Sequence, residues 1–231
     1  MSAVGIAAGV LLIVLPLAFN AAFAALAAKF DYPDVLRRPT EEVLRLFRDG
    51  GSGLVTLWWA FAMTAVAVAP MAVLVAAALG DANPVVLQLS VVIGVLAALA
   101  QFLGLVRWPF LVPYLARVSA DPETTPARRE AVDVVFQAFN RYLGVAVGEH
   151  LGYLFTGVWS VLVGVAATQS AAVPAWLGII GIVIGVVLAL CSLEFVGRFE
   201  PSGWRLAGAV IPVAYVIWSV WLVALGVALL L

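Results

Sequence analysis

Apolar and polar residues separate along this chain at a scale far longer than one turn of helix. Six stretches, roughly 3–28, 54–79, 85–106, 143–168, 173–196 and 205–230, are almost free of charge. A helix of about 20 apolar residues crosses the hydrocarbon core of a bilayer. The pattern therefore predicts an all-α fold, a six-span transmembrane helical bundle formed by one integral-membrane domain over 1–231. The first stretch lacks a basic leader and is too long for a signal-peptide core, so it is expected to remain as a span.

The connections alternate in length and charge. "GDANP" (80–84) and "TQSAAVP" (168–174) are brief, whereas the connections at 29–53, 107–142 and 197–204 hold nearly all the charge. All 12 basic residues fall in or beside those three connections, on one side of the membrane. By the positive-inside rule that side is cytoplasmic and both termini face outward.

Two stretches change periodicity and predict amphipathic helices at the cytoplasmic face. In "RPTEEVLRLFRDGG", Val43, Leu44, Leu46 and Phe47 share one arc, while Glu41, Glu42, Arg45, Arg48 and Asp49 share the other. Pro39 suits its first turn and Gly50 its end. Such a helix lies on lipid headgroups or on the rest of the protein. The second begins at "TPARREAVDVVFQAFNRY", with Thr125 as N-cap and Pro126 at the first helical position. Val132, Val135, Phe136 and Phe139 form its apolar face. Run unbroken to Thr168 it would be about 64 Å long, twice the ~30 Å hydrocarbon core, so a bend is expected near Gly144. Pro109 and Pro113 are expected to kink or end the third span, and Pro212 to kink the sixth.

Composition agrees with the pattern: 65% of residues are hydrophobic and 11% charged, against about 25% charged in a typical soluble domain. A net charge of -1 gives no footprint for nucleic acid. Cys191, the one cysteine, excludes an internal disulfide and a cysteine zinc site, and reads as apolar filler. Trp58, Trp59, Trp108 and Trp204 at inner span ends, and Trp176 at an outer one, fit interfacial belts. Trp159, Trp218 and Trp221 lie deeper.

The fourth span carries two unusual features. Gly144, Gly148, Gly152, Thr156, Ser160, Gly164 and Thr168 recur at every fourth position, a small-residue stripe that allows close helix packing in lipid. Gly178, Gly181 and Gly185 give the fifth span a shorter version. Beside the stripe stands "VGEHLGYLF" (147–155), holding the single histidine, His150, next to Glu149. Glu149, His150, Arg107, Tyr153, Arg141 and Glu194 all fall near the inner boundary and are the candidate ligand-binding residues. Either they fix helix register, with Arg107 pairing Glu149 or Glu194 and His150 meeting a carbonyl or Tyr153, or they line a cytoplasm-facing cavity for a polar headgroup.

Catalytic assemblies are hard to build from these residues. One histidine excludes a His-rich metal centre, and adjacent Glu and His on a helix point about 100° apart, unlike the ligands of a His-Glu-x-x-His zinc site. Ser160 and Ser192 have no base at hand, Lys29 lies outside the spans, and no glycine-rich phosphate loop is present. No cofactor is expected. A Glu149–His150 acid–base pair acting on lipid is the one enzymatic alternative.

Several stretches together carry a family resemblance: "FDYPDVLRRPTEEVL" (30–44), "RWPFLVPYLA" (107–116), "FQAFNRYLGVAVGEHLGYLF" (136–155), "WLGIIG" (176–181) and "AYVIWSVWLVALGV" (214–227). The chain resembles bacterial multi-pass membrane proteins grouped as a domain of unknown function, in the four-thousands series. The resemblance implies about six spans, the bacterial inner membrane and no assigned catalytic residues. The residues themselves leave two non-enzymatic classes: a binding protein for a lipid or small amphipathic ligand, whose movement by this chain is weakened as a reading by the lack of a 3+3 sequence repeat, and an accessory subunit docking a membrane or cytoplasmic protein partner.

Overall fold

The computed structural model describes residues 2–200 and 202–231. Its main helices are α1 (Ala3–Phe30), α2 (Thr40–Asp49), α3 (Gly51–Ala78), α4 (Pro84–Ala120), α5 (Pro126–Phe139), α6 (Gly152–Gln169), α7 (Ala175–Cys191) and α8 (Arg205–Leu230). Among the described residues there is no strand. Six helical segments are long and apolar enough to cross a membrane: α1, α3, α4, Pro126–Gln169, Ala175–Phe195 and α8. This is a multi-pass membrane protein.

Local chemistry sets the helix ends. Ser2 caps α1 by accepting from the Gly5 amide at 3.0 Å. Asn83 accepts from the Val85 amide at 2.9 Å, with Pro84 opening α4. Thr125 accepts from the Arg128 amide at 3.3 Å, with Pro126 opening α5. The stop after α2 rests on Gly51 rather than Gly50: Gly50 keeps helical angles, while Gly51 takes φ +59°, where a side chain would be strained.

The spans pack in a ring that follows chain order. α1 lies on α3, α3 on α4, α4 on α6, α6 on α7, α7 on α8, and α8 closes on α1. Reciprocal glycines let these helices approach at backbone distance. A Cβ built on Gly157 or Gly185 would stand 2.5 Å from the other's carbonyl oxygen, and Gly164 and Gly178 face each other likewise. Gly9 and Gly226 do the same where the ring closes.

One end of the ring carries the charge. There Gln137 donates to Thr40 at 2.9 Å, Arg141 pairs with Glu200, and Arg38 bridges Asp31 and Glu42. At the opposite end the two short loops lock together. Asp81 accepts from the Ser170 hydroxyl and, at 2.8 Å, from the Ala171 amide, and the Gln169 side chain accepts from the Asn83 amide at 3.1 Å. Those bonds hold the Asp81 carboxyl below the usual carboxylate range, the Ser170 bond most of all.

Two expectations need correction, and the structure adds detail to a third. The third span does not end near 106: α4 continues through Pro109 and Pro113 to Ala120. Trp108, Val112, Leu115 and Ala116 are buried in one cluster with Val43, Leu44 and Phe47 of α2 and Val132 and Phe136 of α5, and this packing carries the helix past the missing amides. α2 thus lies on protein rather than on headgroups. The helix entering span four, where a bend is expected near Gly144, runs continuously over Pro126–Gln169 and rewinds as a π-helix from Asn140 to Leu151. Finally, Trp58 and Trp108 are not interfacial. Both are 0% exposed and stack on each other at 4.5 Å and 10°. Trp59 and Trp176, 49% and 56% exposed, face outward, as a belt position requires.

Candidate functional site

The π segment determines which side chains reach the ring axis. A π turn holds more residues than an α turn and advances less per residue. Along it, Gly144, Gly148 and Gly152 stand against Arg107, Gly104 and Gln101 of α4. Four residues of the wider helix thus match three of α4, which advance about 4.5 Å. At the tightest point a Cβ on Gly104 would lie 2.5 Å from the Gly148 Cα. Beyond Gly152 the α winding resumes, and each fourth residue turns by about 40°. Thr156 accepts from Gln101 at 2.8 Å, Ser160 accepts from the Trp218 indole at 2.8 Å, and Gly164 reaches α7. Gly157, off the every-fourth pattern, supplies the second contact to α7.

The six candidate side chains are engaged in different ways. Arg107 and Glu149 are half-buried, and neither belongs to any ion pair among the described residues. Arg107 donates instead to the neutral Asn140 Oδ1 at 3.0 Å, its guanidinium lying in the space left by Gly144. Glu149 makes no side-chain hydrogen bond to a described residue; Arg107 and Glu194 are within its electrostatic reach. His150 is engaged elsewhere, its Nδ1 2.8 Å from the Ser192 carbonyl oxygen, tying the π segment to the end of α7. Arg141 is exposed and pairs with Glu200 at the periphery. Glu194 is half-buried in the Ser192–Phe195 turn, its carboxylate beside Gly208.

Residues not singled out in the sequence complete the site. Tyr32, in the loop after α1, packs edge-on against Phe23 and Trp58 at ring distances of 5.6 and 5.0 Å. Burial pushes its phenol up to about 12; the Glu149 carboxylate adds to the rise and the Arg107 guanidinium opposes it. Tyr32, Glu149 and Arg107 therefore share one electrostatic environment. Tyr153 meets Tyr215 of α8 at 5.5 Å, and Tyr215 stacks on Phe19 of α1 at 6.2 Å. Deeper along the axis, Asn20 donates to Ser219 at 2.9 Å, and Phe19, Thr64, Gln101 and Trp218 line a void of about 20 Å³, room for one water. Asn20 and Gln101 carried a readable signal, since an amide inside an otherwise apolar span marks an interior face. Tyr32 carried none, because it lies outside the spans and reaches the axis only through the fold.

The candidate site thus gathers, toward the charged end of a helical ring, buried tyrosines and a guanidinium and a carboxylate that do not pair. A model of the family described as Domain of unknown function (DUF4386) matches residues 7–226. The chain belongs to that family. No curated protein and no solved structure matches it.

Proposed function

We propose that this membrane protein binds a lipid or small amphipathic ligand at the charged end of its ring. The observation that supports this reading is the failure of Arg107 and Glu149 to pair, although they share one environment. Unpaired charge is costly away from water, and ionisable groups facing a bundle interior mark ligand and ion pathways. The 12 basic residues at this end orient it to the cytoplasm of a bacterial inner membrane. A reporter fused at Leu231 is expected to read external; a cytoplasmic signal would reverse the orientation.

The deciding experiment is native mass spectrometry after release from mild detergent, wild type beside Glu149→Gln. A discrete adduct on the wild type, lost in a folded variant, supports the pocket. Bare protein in both refutes it and leaves Arg107 and Glu149 as elements of helix register.

A second reading has one observation in its favour. α5 buries Val132 and Phe136 but leaves Val134, Val135 and Phe139 exposed beside Tyr142. That face would dock a partner protein in an accessory role. Phe139→Glu is then expected to abolish co-purification of a defined partner while leaving adducts intact.

A further inference from the structure

We infer that the hairpin of α4 and α5 is seated in the headgroup layer of the bilayer, its outer face covered by lipid and its exposed arginines bound to anionic phospholipid headgroups. This assignment does not depend on the pocket proposed above, and it gives the outer face of α5 to lipid rather than to a partner protein.

α5 carries apolar side chains on both faces. Inward it buries Val132 and Phe136, while Gln137 and Asn140 bond to Thr40 and Arg107. Outward, Val134, Val135, Phe139 and Tyr142 are exposed, Tyr142 at 67%. A helix bathed in water turns polar residues outward. α4 shows the same reversal. Its exposed residues Val92, Val95, Leu99, Phe110, Tyr114 and Arg117 fall within one arc of about 100°. The lipid-facing stripe of the span therefore continues in line past Arg107 and onto the hairpin.

Depth supports lipid as the cover. Phe110 and Tyr114 stand about 39 and 45 Å along α4 from Pro84, beside the short loop at the opposite end. A bilayer with its headgroups is about 40–45 Å thick. α5 runs back beside α4: Phe136 meets Trp108 edge-on at 6.3 Å, and Asn140 accepts from Arg107 at 3.0 Å. Phe139 and Tyr142 therefore lie within about a turn of the Phe110 level. Trp59 of α3 shares that level, because its neighbour Trp58 stacks on Trp108. Aromatic side chains gather at this layer of a membrane.

Charge completes the fit. Arg117 ends the α4 stripe just beyond Tyr114, and Arg128 borders the outer arc of α5. Both are exposed, and neither joins an ion pair among the described residues. Glu130 and Asp133, the acids of α5, fall off that arc. Cations just past the aromatic level reach lipid phosphates with their long side chains.

The test uses the full-length chain with Cys191→Ala, reconstituted in vesicles of phosphatidylcholine and phosphatidylglycerol. Tyr114→Cys, Phe139→Cys and Tyr142→Cys each carry a fluorophore, with Glu41→Cys on the exposed face of α2 as the water-facing reference. Nitroxide attached to lipid is expected to quench the first three, and aqueous iodide to quench them several-fold less than the reference. Full quenching by iodide at the three positions places the hairpin in water and overturns the inference. Protection from both quenchers overturns it as well, because the cover is then protein, a second copy in a purified sample. Headgroup binding is read on unlabelled protein, so it stands even where a labelled variant fails to fold. Spin-labelled phosphatidylglycerol is expected to associate more strongly than spin-labelled phosphatidylcholine, and Arg117→Gln and Arg128→Gln to lower that preference by up to about fivefold each. A preference that the double replacement leaves unchanged overturns the role given to the arginines.

Discussion

Replacing Gly104 by alanine tests the contact on which the site is built. The new Cβ would stand 2.5 Å from the Gly148 Cα, 3.2 Å from the Leu143 carbonyl oxygen and 3.3 Å from the Gly148 amide nitrogen. Carbon atoms pack at about 3.5–4.0 Å. All three obstacles are backbone, so no side chain can swing aside, and α4 and the π segment must separate by about 1 Å. Overpacking of this kind costs about 1–3 kcal/mol, and backbone on the far side places this case near about 3. Alanine in a helix interior returns about 1 kcal/mol relative to glycine. The net expectation is a loss of about 2 kcal/mol, roughly thirtyfold in the folding equilibrium.

The assay is equilibrium unfolding in mixed micelles against rising SDS fraction, read by tryptophan fluorescence. Gly148→Ala, whose Cβ would lie 2.9 Å from the Gly104 Cα, should cost somewhat less. The double variant should cost less than the sum, because one separation relieves both clashes. Gly53→Ala meets nothing within 4 Å and should be neutral or mildly stabilising. If Gly104→Ala is as stable as wild type, the two helices do not meet through their backbones and the register argued for the site fails.

Ser160→Ala leaves the Trp218 indole without its acceptor and should cost about 0.6–1.7 kcal/mol in the same assay, the range for hydrogen bonds between membrane helices; no change would mean the indole finds another partner. Asp81 titrates below its ordinary value of 3.8 in the folded protein. Its contribution is therefore complete above the unfolded value and is lost as pH falls through the lower folded one. Hydrogen exchange at Ala171 and Asn83 should rise below about pH 4 in wild type and be high at neutral pH in Asp81→Ala; exchange that ignores both pH and the variant would sink the loop-lock reading.

The fold was legible wherever a single segment decides its own state. Long uncharged runs leave only a helix to satisfy the backbone in lipid, so all six spans could be read directly. Thr125 with Pro126, and the amphipathic arcs of α2 and α5, were equally local signals. Span ends were less legible. Pro109 and Pro113 weaken a helix taken alone, and only the packing of α2 and α5 on Trp108 and Leu115 keeps α4 intact to Ala120. Trp58 and Trp108 sit at span ends in the sequence, yet Trp108 is covered by Phe47 of α2 and Phe136 of α5, and Trp58 by Trp108, Phe30 and Tyr32.

The candidate site divides along the same line. Sequence alone placed Glu149 and Arg107 near one boundary of the membrane and the small-residue stripe along span four, because charge is costly in lipid and four-residue spacing is visible in a string of letters. Which of those groups face one another was decided by the tertiary structure. The π winding over Asn140–Leu151 sets a four-to-three register with α4, and that register directs Arg107 to Asn140 and His150 to Ser192. The ring closure brings Tyr215 and Phe19, nearly two hundred residues apart, to the same axis as Tyr153. Hydrophobic periodicity reports what each helix needs from its surroundings; the partner that meets the need is fixed only when backbones pack at glycine contact.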